Sequence, residues 1–266
     1  MAVRTLKIAE LFIYPTKSGR ARVIDTALAR GRGLEGDRCF MVVDEHGEML
    51  TQRAHPELGQ LETSVTDDTV TFQAQGEHVS LSLSSLERDE RAVRVWEDQV
   101  VAEDCGPQAA GLVTHLTGRL ARVVRIGRGY HRRVDPAYAE PDDEVSFADG
   151  FPILVTTRVS TDAVANAAGV ISTSLRFRPN IVLDGAEPFE EDGWTTLRVG
   201  DVELSLVKPC TRCQVVDVDP ATGQRGKAVL AALADQRQRG RGVIFGMNAL
   251  VRREGILRVG DQVAVA

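Results

Sequence analysis

The chain has 266 residues, enough for one large or two modest domains, and its 43% hydrophobic and 26% charged content is ordinary for a globular protein. A formal net charge of −6 argues against a general nucleic-acid binder, and no apolar run approaches the ~18 residues of a membrane span. Four cysteines in this length do not form a disulfide scaffold, and the N-terminus lacks a signal peptide's apolar stretch, so a reducing cytoplasm is the expected compartment.

Taken in order, residues 5–14 read as a buried strand ending at Pro15, followed by a polar turn over 16–19. The glycine-rich stretch 31–37 has neither a GxGxxG nor a P-loop arrangement, so no nucleotide site is read there. Residues 40–51 predict a hairpin turning at 44–47, residues 65–72 a second hairpin, and 78–83 a further strand. Spacing of Ala110, Val113 and Leu116 after Pro107 predicts a helix over 107–116. Six arginines fall within 119–133 (Arg119, Arg122, Arg125, Arg128, Arg132 and Arg133). Such a run reads as a solvated face, or more sharply as a dock for an acidic electron carrier. The segment 136–143 is the best candidate for a connection between halves. A capped helix over 160–168 stops at Gly169, and Pro179 leads into a strand over 178–183. Leu197-Arg198-Val199-Gly200-Asp201 recurs at 257–261, which reads as the same hairpin chemistry used twice. A helix over 227–236 follows, and the strand count as a whole describes a mostly β chain.

The chemistry concentrates in Lys208-Pro209-Cys210-Thr211-Arg212-Cys213, ahead of a turn at Asp219-Pro220-Ala221-Thr222-Gly223. Four readings stand. A redox pair needs its first cysteine at a helix N-terminus, yet Cys213 leads into Val215, Val216 and Val218, which predict a strand. A zinc knuckle needs two more ligands at matched spacing, and Cys39 and Cys105 are each alone. Two small buried hydrophobes are the default on composition. The fourth reading is one thiolate on a soft metal, with Arg212 holding an anion.

Arg176-Phe177-Arg178-Pro179-Asn180, then Asp184-Gly185, Trp194, Gly200-Asp201 and the Cys210-Thr211-Arg212-Cys213 stretch with its Asp-Pro-Ala-Thr-Gly turn, resemble a MOSC domain. Tyr14-Pro15-Thr16-Lys17-Ser18 and Gly36-Asp37-Arg38 resemble the N-terminal β-barrel domain of the branch containing the mitochondrial amidoxime-reducing component. The resemblance spans nearly the whole chain. It implies a mostly β (α+β) fold, with an N-terminal barrel-like domain over residues 1–120, a MOSC barrel over 121–266 and the connection at about 119–145.

The implied cofactor is the molybdenum cofactor, with Cys213 as metal ligand and catalytic residue. The implied cofactor contacts are Lys17, Ser18, Arg38, Asp149, Arg178, Asn180, Thr211 and Arg212, with Asp149 accepting from pterin N–H groups. Cys210 is expected beside the site without a required role, and Trp194, Asp184 and Gly185 are expected to serve the fold. The implied activity is reduction of N-hydroxylated small molecules (hydroxylamines, amidoximes, N-hydroxylated bases). Animal relatives carry a membrane anchor for which this chain has no room, and some bacterial relatives append a ferredoxin domain. Electrons are therefore expected from a separate ferredoxin-type or reductase protein. MOSC domains also occur in molybdenum-cofactor sulfurases, so a cofactor carrier or sulfur-transfer module is the alternative.

Overall fold

The computed structural model describes residues 5–86 and 89–266. Strands Ile153–Thr157, Ile181–Asp184, Leu6–Ile13, Gln262–Val265, Thr196–Val199, Val202–Arg212 and Gly242–Arg253 pair in that order, and the last pairs with the first. The result is a closed seven-stranded barrel in a mostly β protein with three α-helices among the described residues. Closure removes the exposed edges that an open sheet would leave. One neighbouring pair is parallel, Ile153–Thr157 with Ile181–Asp184, and helix α2 (Arg158–Ala168) makes the crossover that a parallel pair requires. Inward side chains from every strand, including Ile8, Leu11, Val155, Leu183, Leu197, Leu204 and Ala249, fill the barrel. The N-terminal strand thus completes a barrel made otherwise from residues beyond 150.

A four-stranded sheet, in the order Phe40–Asp44, Ala121–Arg125, Asp98–Asp104 and Glu90–Val95, lies beside a three-stranded meander, Glu62–Thr66, Thr69–Ala74 and Glu77–Ser82. Helix α1 (Pro107–Thr117) closes their shared core with Leu112, Val113 and Leu116 against Phe72 and Val123. None of the described helices is long and apolar enough to cross a membrane.

Several elements differ from the sequence reading. The return arm of the 40–51 hairpin is a single bridge, Val43 to Met49, rather than a strand. Residues 119–133 are not simply a solvated face: Arg125 pairs with Glu103 and Arg122 with Asp104, while Arg132 is buried. The first Leu-Arg-Val-Gly-Asp is a hairpin. The second is a corner, because Gly255–Arg258 pairs with Thr26–Arg30 whereas Gln262–Val265 returns to the barrel. Residues 214–218 do not form a strand. Gln214–Asp217 is one 3₁₀ turn that buries Val216 among Phe177, Val229, Leu233 and Phe245.

Two glycines are dictated by close approach. Gly246 has φ 74°, and a Cβ there would meet the Val155 carbonyl oxygen at 2.8 Å. Gly185 has φ 92°, with a Cβ falling 2.5 Å from the Thr5 carbonyl oxygen, which gives the expected fold role its reason.

The 3₁₀ turn also explains Asp217. Helix α3 (Ala228–Arg237) has no cap from its own N-cap residue, Lys227. Asp217 Oδ1 instead accepts from Val229 N at 2.9 Å and Leu230 N at 3.1 Å. Asp217→Ala is expected to lower unfolding free energy by about 1–2 kcal/mol. Asp217→Asn, which keeps an oxygen there, should lose less. Equal losses in urea denaturation would place the effect elsewhere.

Candidate functional site

Backbone stitching brings three distant segments together. Arg38 N donates to the Tyr14 carbonyl, Phe40 N to that of Pro15, and Lys17 N to that of Phe40. Phe147 N donates to the Arg38 carbonyl, drawing in the 146–150 segment. From the barrel side, the strand Val202–Arg212 carries register shifts on both sides of Pro209, which cannot donate to the ladder. Those shifts deliver Cys210 to Cys213 to the same edge. Arg225, just beyond the 219–223 turn, donates to the carbonyls of Gln52 and Arg53 and clasps the opposite rim.

The resulting open cleft has a volume of about 930 Å³, part of it continuous with solvent, and all nine sequence-predicted residues line it: Lys17, Ser18, Arg38, Asp149, Arg178, Asn180, Thr211, Arg212 and Cys213. Cys210 also lines it and, like Cys213, is partly exposed. Lining residues the sequence did not single out include Arg53, Gln52, Trp96, Phe151 and Asn248. The lining carries five cations (Lys17, Arg38, Arg53, Arg178 and Arg212) against one carboxylate, Asp149. Such a surface suits an anion.

The cations are held by rigid partners. Arg38 and Arg178 both lie over the Tyr14 ring, at 4.3 and 4.2 Å from its centroid. Arg38 pairs with buried Asp37 and donates to Asn180 Oδ1 at 3.1 Å. Asn180 is engaged at both ends of its amide, since Oδ1 also accepts from Leu154 N and Nδ2 donates to the Phe12 carbonyl. It acts as a strut behind Arg38. Arg178 Nη1 donates to the Gly19 carbonyl at 2.9 Å, while its buried Nη2 has no partner. Desolvation, reinforced by Arg38, lowers the Arg178 pKa to about 10. Arg212 donates to the Phe177 carbonyl at 2.6 Å and to Cys210 Sγ at 3.0 Å, and its buried Nε is also unpartnered. Ser18 Oγ accepts from Gln52 N at 3.2 Å.

Strain gathers here. Seven non-glycine residues have positive φ among those described, and four of them (Ser18, Arg38, Trp96 and Arg178) line the cleft. Left-handed backbone at bulky residues persists only where its surroundings enforce it.

Lys17 is buried, not a solvated turn residue, and donates to the Phe147 carbonyl at 2.8 Å and Asp149 Oδ1 at 2.6 Å. Burial pulls its ammonium below the usual lysine range, with Asp149 opposing. Asp149 is crowded on its inner side, yet its side chain is 75% open to solvent. Desolvation on the crowded side opposes ionisation. Even so, the Lys17 charge, its hydrogen bond and a donor from Trp96 hold the carboxyl well below the usual aspartate range. Among the described residues no group of three or more His, Cys, Asp and Glu side chains could hold a metal ion. A metal held here would take part of its ligand set from a bound molecule, with the Cys210 and Cys213 thiols the soft protein donors at the cleft.

Comparison with known proteins agrees with the residues. Positions 5–119 match the family described as the MOSC N-terminal beta barrel domain, and 142–264 match the MOSC domain. Mouse mitochondrial amidoxime-reducing component 1 is 31% identical over 96% of this chain and 81% of its own length. The human protein of that name is 30% identical over 96% and 82%. A Caenorhabditis elegans molybdenum cofactor sulfurase is 30% identical over 87% of this chain and 32% of its own length.

The lowered Lys17 pKa sets a pH dependence. Between that folded value and the ordinary 10.5 the unfolded chain holds more protons, so this group's contribution to stability rises with pH. Stability of the native protein measured relative to Lys17→Met should therefore climb across the alkaline range as pH approaches 10.5. A flat difference in urea unfolding would contradict the buried, charged lysine.

Proposed function

The chain belongs to the MOSC family, in the branch of the mitochondrial amidoxime-reducing components, and from that premise we propose that it is a molybdenum-cofactor-dependent reductase of N-hydroxylated compounds. The observation that supports the reading most is the convergence of nine side chains, from five separate stretches of sequence, on one cationic cleft that includes the Cys213 thiol.

The donor set fits such a cofactor. An elongated phosphate-bearing ligand needs several cations along its length and a soft donor for its metal. Arg178 Nη2 and Arg212 Nε are buried N–H donors without partners, an arrangement that a bound anion would satisfy. Lys17, Ser18, Arg38, Arg178, Thr211 and Arg212 would hold the molecule, Asp149 would accept from its N–H groups, and Cys213 would ligate the metal as thiolate. Asn180 would act one step removed, by fixing Arg38. When bound, the cofactor supplies two-electron reduction with removal of one oxygen from nitrogen. The chain's own part is to orient it and to set the charge around it.

Conversion of a hydroxylamine to an amine takes two electrons and two protons and releases water. The electrons would come from a separate ferredoxin-type or reductase protein, and turnover with a nicotinamide donor alone would count against that. A carrier or sulfur-transfer role is the second reading, favoured by the similarity to the sulfurase.

Protein from a molybdenum-replete host is expected to carry near-stoichiometric molybdenum and pterin, and to reduce benzamidoxime once a donor protein is supplied. Cys213→Ser should lose at least tenfold in bound molybdenum and in activity while its urea midpoint stays native. Full metal content and turnover in that variant would remove the assigned ligand. Bound cofactor without reduction by the native protein would favour the carrier.

A further inference from the structure

Trp96 occupies a position where a large side chain is out of place. It opens the two-residue turn between strands Glu90–Val95 and Asp98–Asp104, with Val95 paired directly to Asp98. Its φ is 56°. The first position of such a turn favours glycine, because left-handed backbone crowds any Cβ. An unfavourable backbone at a bulky residue calls for surroundings that hold it there.

Those surroundings are on the cleft side. The Trp96 indole Nε1 donates to Asp149 Oδ1 at 3.2 Å, the same oxygen that accepts from Lys17. The Arg53 guanidinium lies over the indole at 4.4 Å from the ring centroid, and Lys17 Nζ lies at 5.5 Å. A second link runs underneath. Buried Arg132 donates to Asp98 Oδ2 at 2.7 Å, at the start of the strand after the turn, and to the Asp149 carbonyl at 2.9 Å. It also donates to the carbonyls of Ser146 and Ala148. The hairpin tip is thereby tied to the Asp149 segment through both backbone and side chain. Asp149 Oδ2 has no protein partner among the described residues. Trp96 and Asp149 together border the main cleft and a shallower one beside it, lined by Gln99, Arg133, Asp135 and Lys208.

We propose that Trp96 is a positioning residue: its indole N–H, with Lys17, fixes one oxygen of Asp149 so that the other is presented to the N–H donors of a nitrogen heterocycle bound in the cleft. The heterocycle is the pterin if the cofactor assignment above holds, and to that extent the inference rests on it. A carboxylate free to rotate would lose orientation on binding. One fixed at Oδ1 has already lost that freedom, so it binds more tightly without any added contact. The rival role is packing, since the indole also borders the core of Met41, Val93 and Phe147.

Two measurements separate these. The first needs no cofactor. The chain has two tryptophans, Trp96 and Trp194, so Trp194 serves as internal reference for the indole N–H signals in ¹H–¹⁵N spectra of cofactor-free protein. Asp149→Ala should move the Trp96 indole signal upfield and speed its hydrogen exchange, leaving Trp194 unchanged; an unmoved Trp96 signal overturns the proposal whatever the cofactor assignment. The second compares pterin retained after dialysis. Trp96→Phe keeps an aromatic ring against Arg53 and the core but loses the donor, and should retain pterin at least tenfold less well with a native urea midpoint. Trp96→Gly relieves the backbone and should lose pterin further while its urea midpoint stays level or rises. Native retention in Trp96→Phe overturns the proposal, as does a drop in midpoint that accounts for the loss. Absence of pterin from the native protein would instead refute the cofactor assignment, with the indole signal still deciding whether Trp96 holds Asp149.

Discussion

Two guanidinium groups, those of Arg38 and Arg178, lie over the same buried phenol ring, and the cleft is organised by keeping those like charges together. Nothing in a folding chain favours this pairing on its own. Each group loses water, each repels the other, and each residue adopts left-handed backbone at about 1–2 kcal/mol. The compensation is local. The Tyr14 face attracts both cations, Asp37 neutralises Arg38, and the Gly19 and Arg178 carbonyls accept from the two side chains. Burial in turn pushes the Tyr14 phenol above its usual range, so the ring stays neutral at ordinary pH. A net positive site remains, with one guanidinium nitrogen of Arg178 unpartnered. An anionic ligand would complete what the protein leaves open.

That arrangement depends on the topology. Leu6–Ile13 is a barrel strand between Ile181–Asp184 and Gln262–Val265, and the Tyr14 to Ser18 segment follows directly from it. Arg178 and Asn180 precede the neighbouring strand, Ile181–Asp184. Tyr14 and Arg178 therefore meet because their strands are hydrogen-bonded partners. Cys210 to Cys213 reach the same edge through a strand whose bulges flank Pro209. Arg225 and Arg132 then secure the far rim, one to the 52–53 backbone and the other to Asp98 and residues 146–149. The site is a seam, and its geometry is complete only when residues from the start, middle and end of the chain are docked.

The sequence made legible those parts that local chemistry specifies. The hairpin read over 65–72 and found at 62–74, the three helices and the Asp219 turn follow from alternation, caps and Gly/Pro placement. The motif residues could be grouped through family resemblance, which stands in for long-range contacts that composition does not contain. What stayed hidden was set by tertiary context. Val215, Val216 and Val218 look like a strand, but burying Val216 against Phe245 and turning Asp217 toward α3 favours one tight 3₁₀ turn. Arg132 is indistinguishable by sequence from its exposed neighbours, because its carbonyl acceptors at Ser146, Ala148 and Asp149 carry no side-chain signal. Trp96 follows Val93 and Val95 with no glycine, proline or asparagine to mark a turn, and only the backbone reveals that it begins one. The two Leu-Arg-Val-Gly-Asp segments show the limit most plainly: one sequence makes a hairpin and a corner, according to which strands lie alongside.

The chain's net charge of −6 and its cationic cleft are not in conflict. At physiological ionic strength the Debye length is about 8 Å. A ligand approaching the molecule is therefore governed by charges within a few ångströms of the mouth rather than by the total. Exposed Arg53 stands at that mouth and is screened by salt, so it influences encounter more than final affinity. Arg178 and Arg212, with buried nitrogens, act in a lower dielectric where screening is weak and charge-assisted hydrogen bonds are strong. A single carboxylate, Asp149, stands among these cations, and Lys17 and Trp96 keep it ionised and oriented. Under the proposed assignment, an anion would engage the arginines and the ligand's own N–H donors would engage the open oxygen of Asp149. On that assignment the one negative charge would contribute selectivity and the surrounding positive ones affinity.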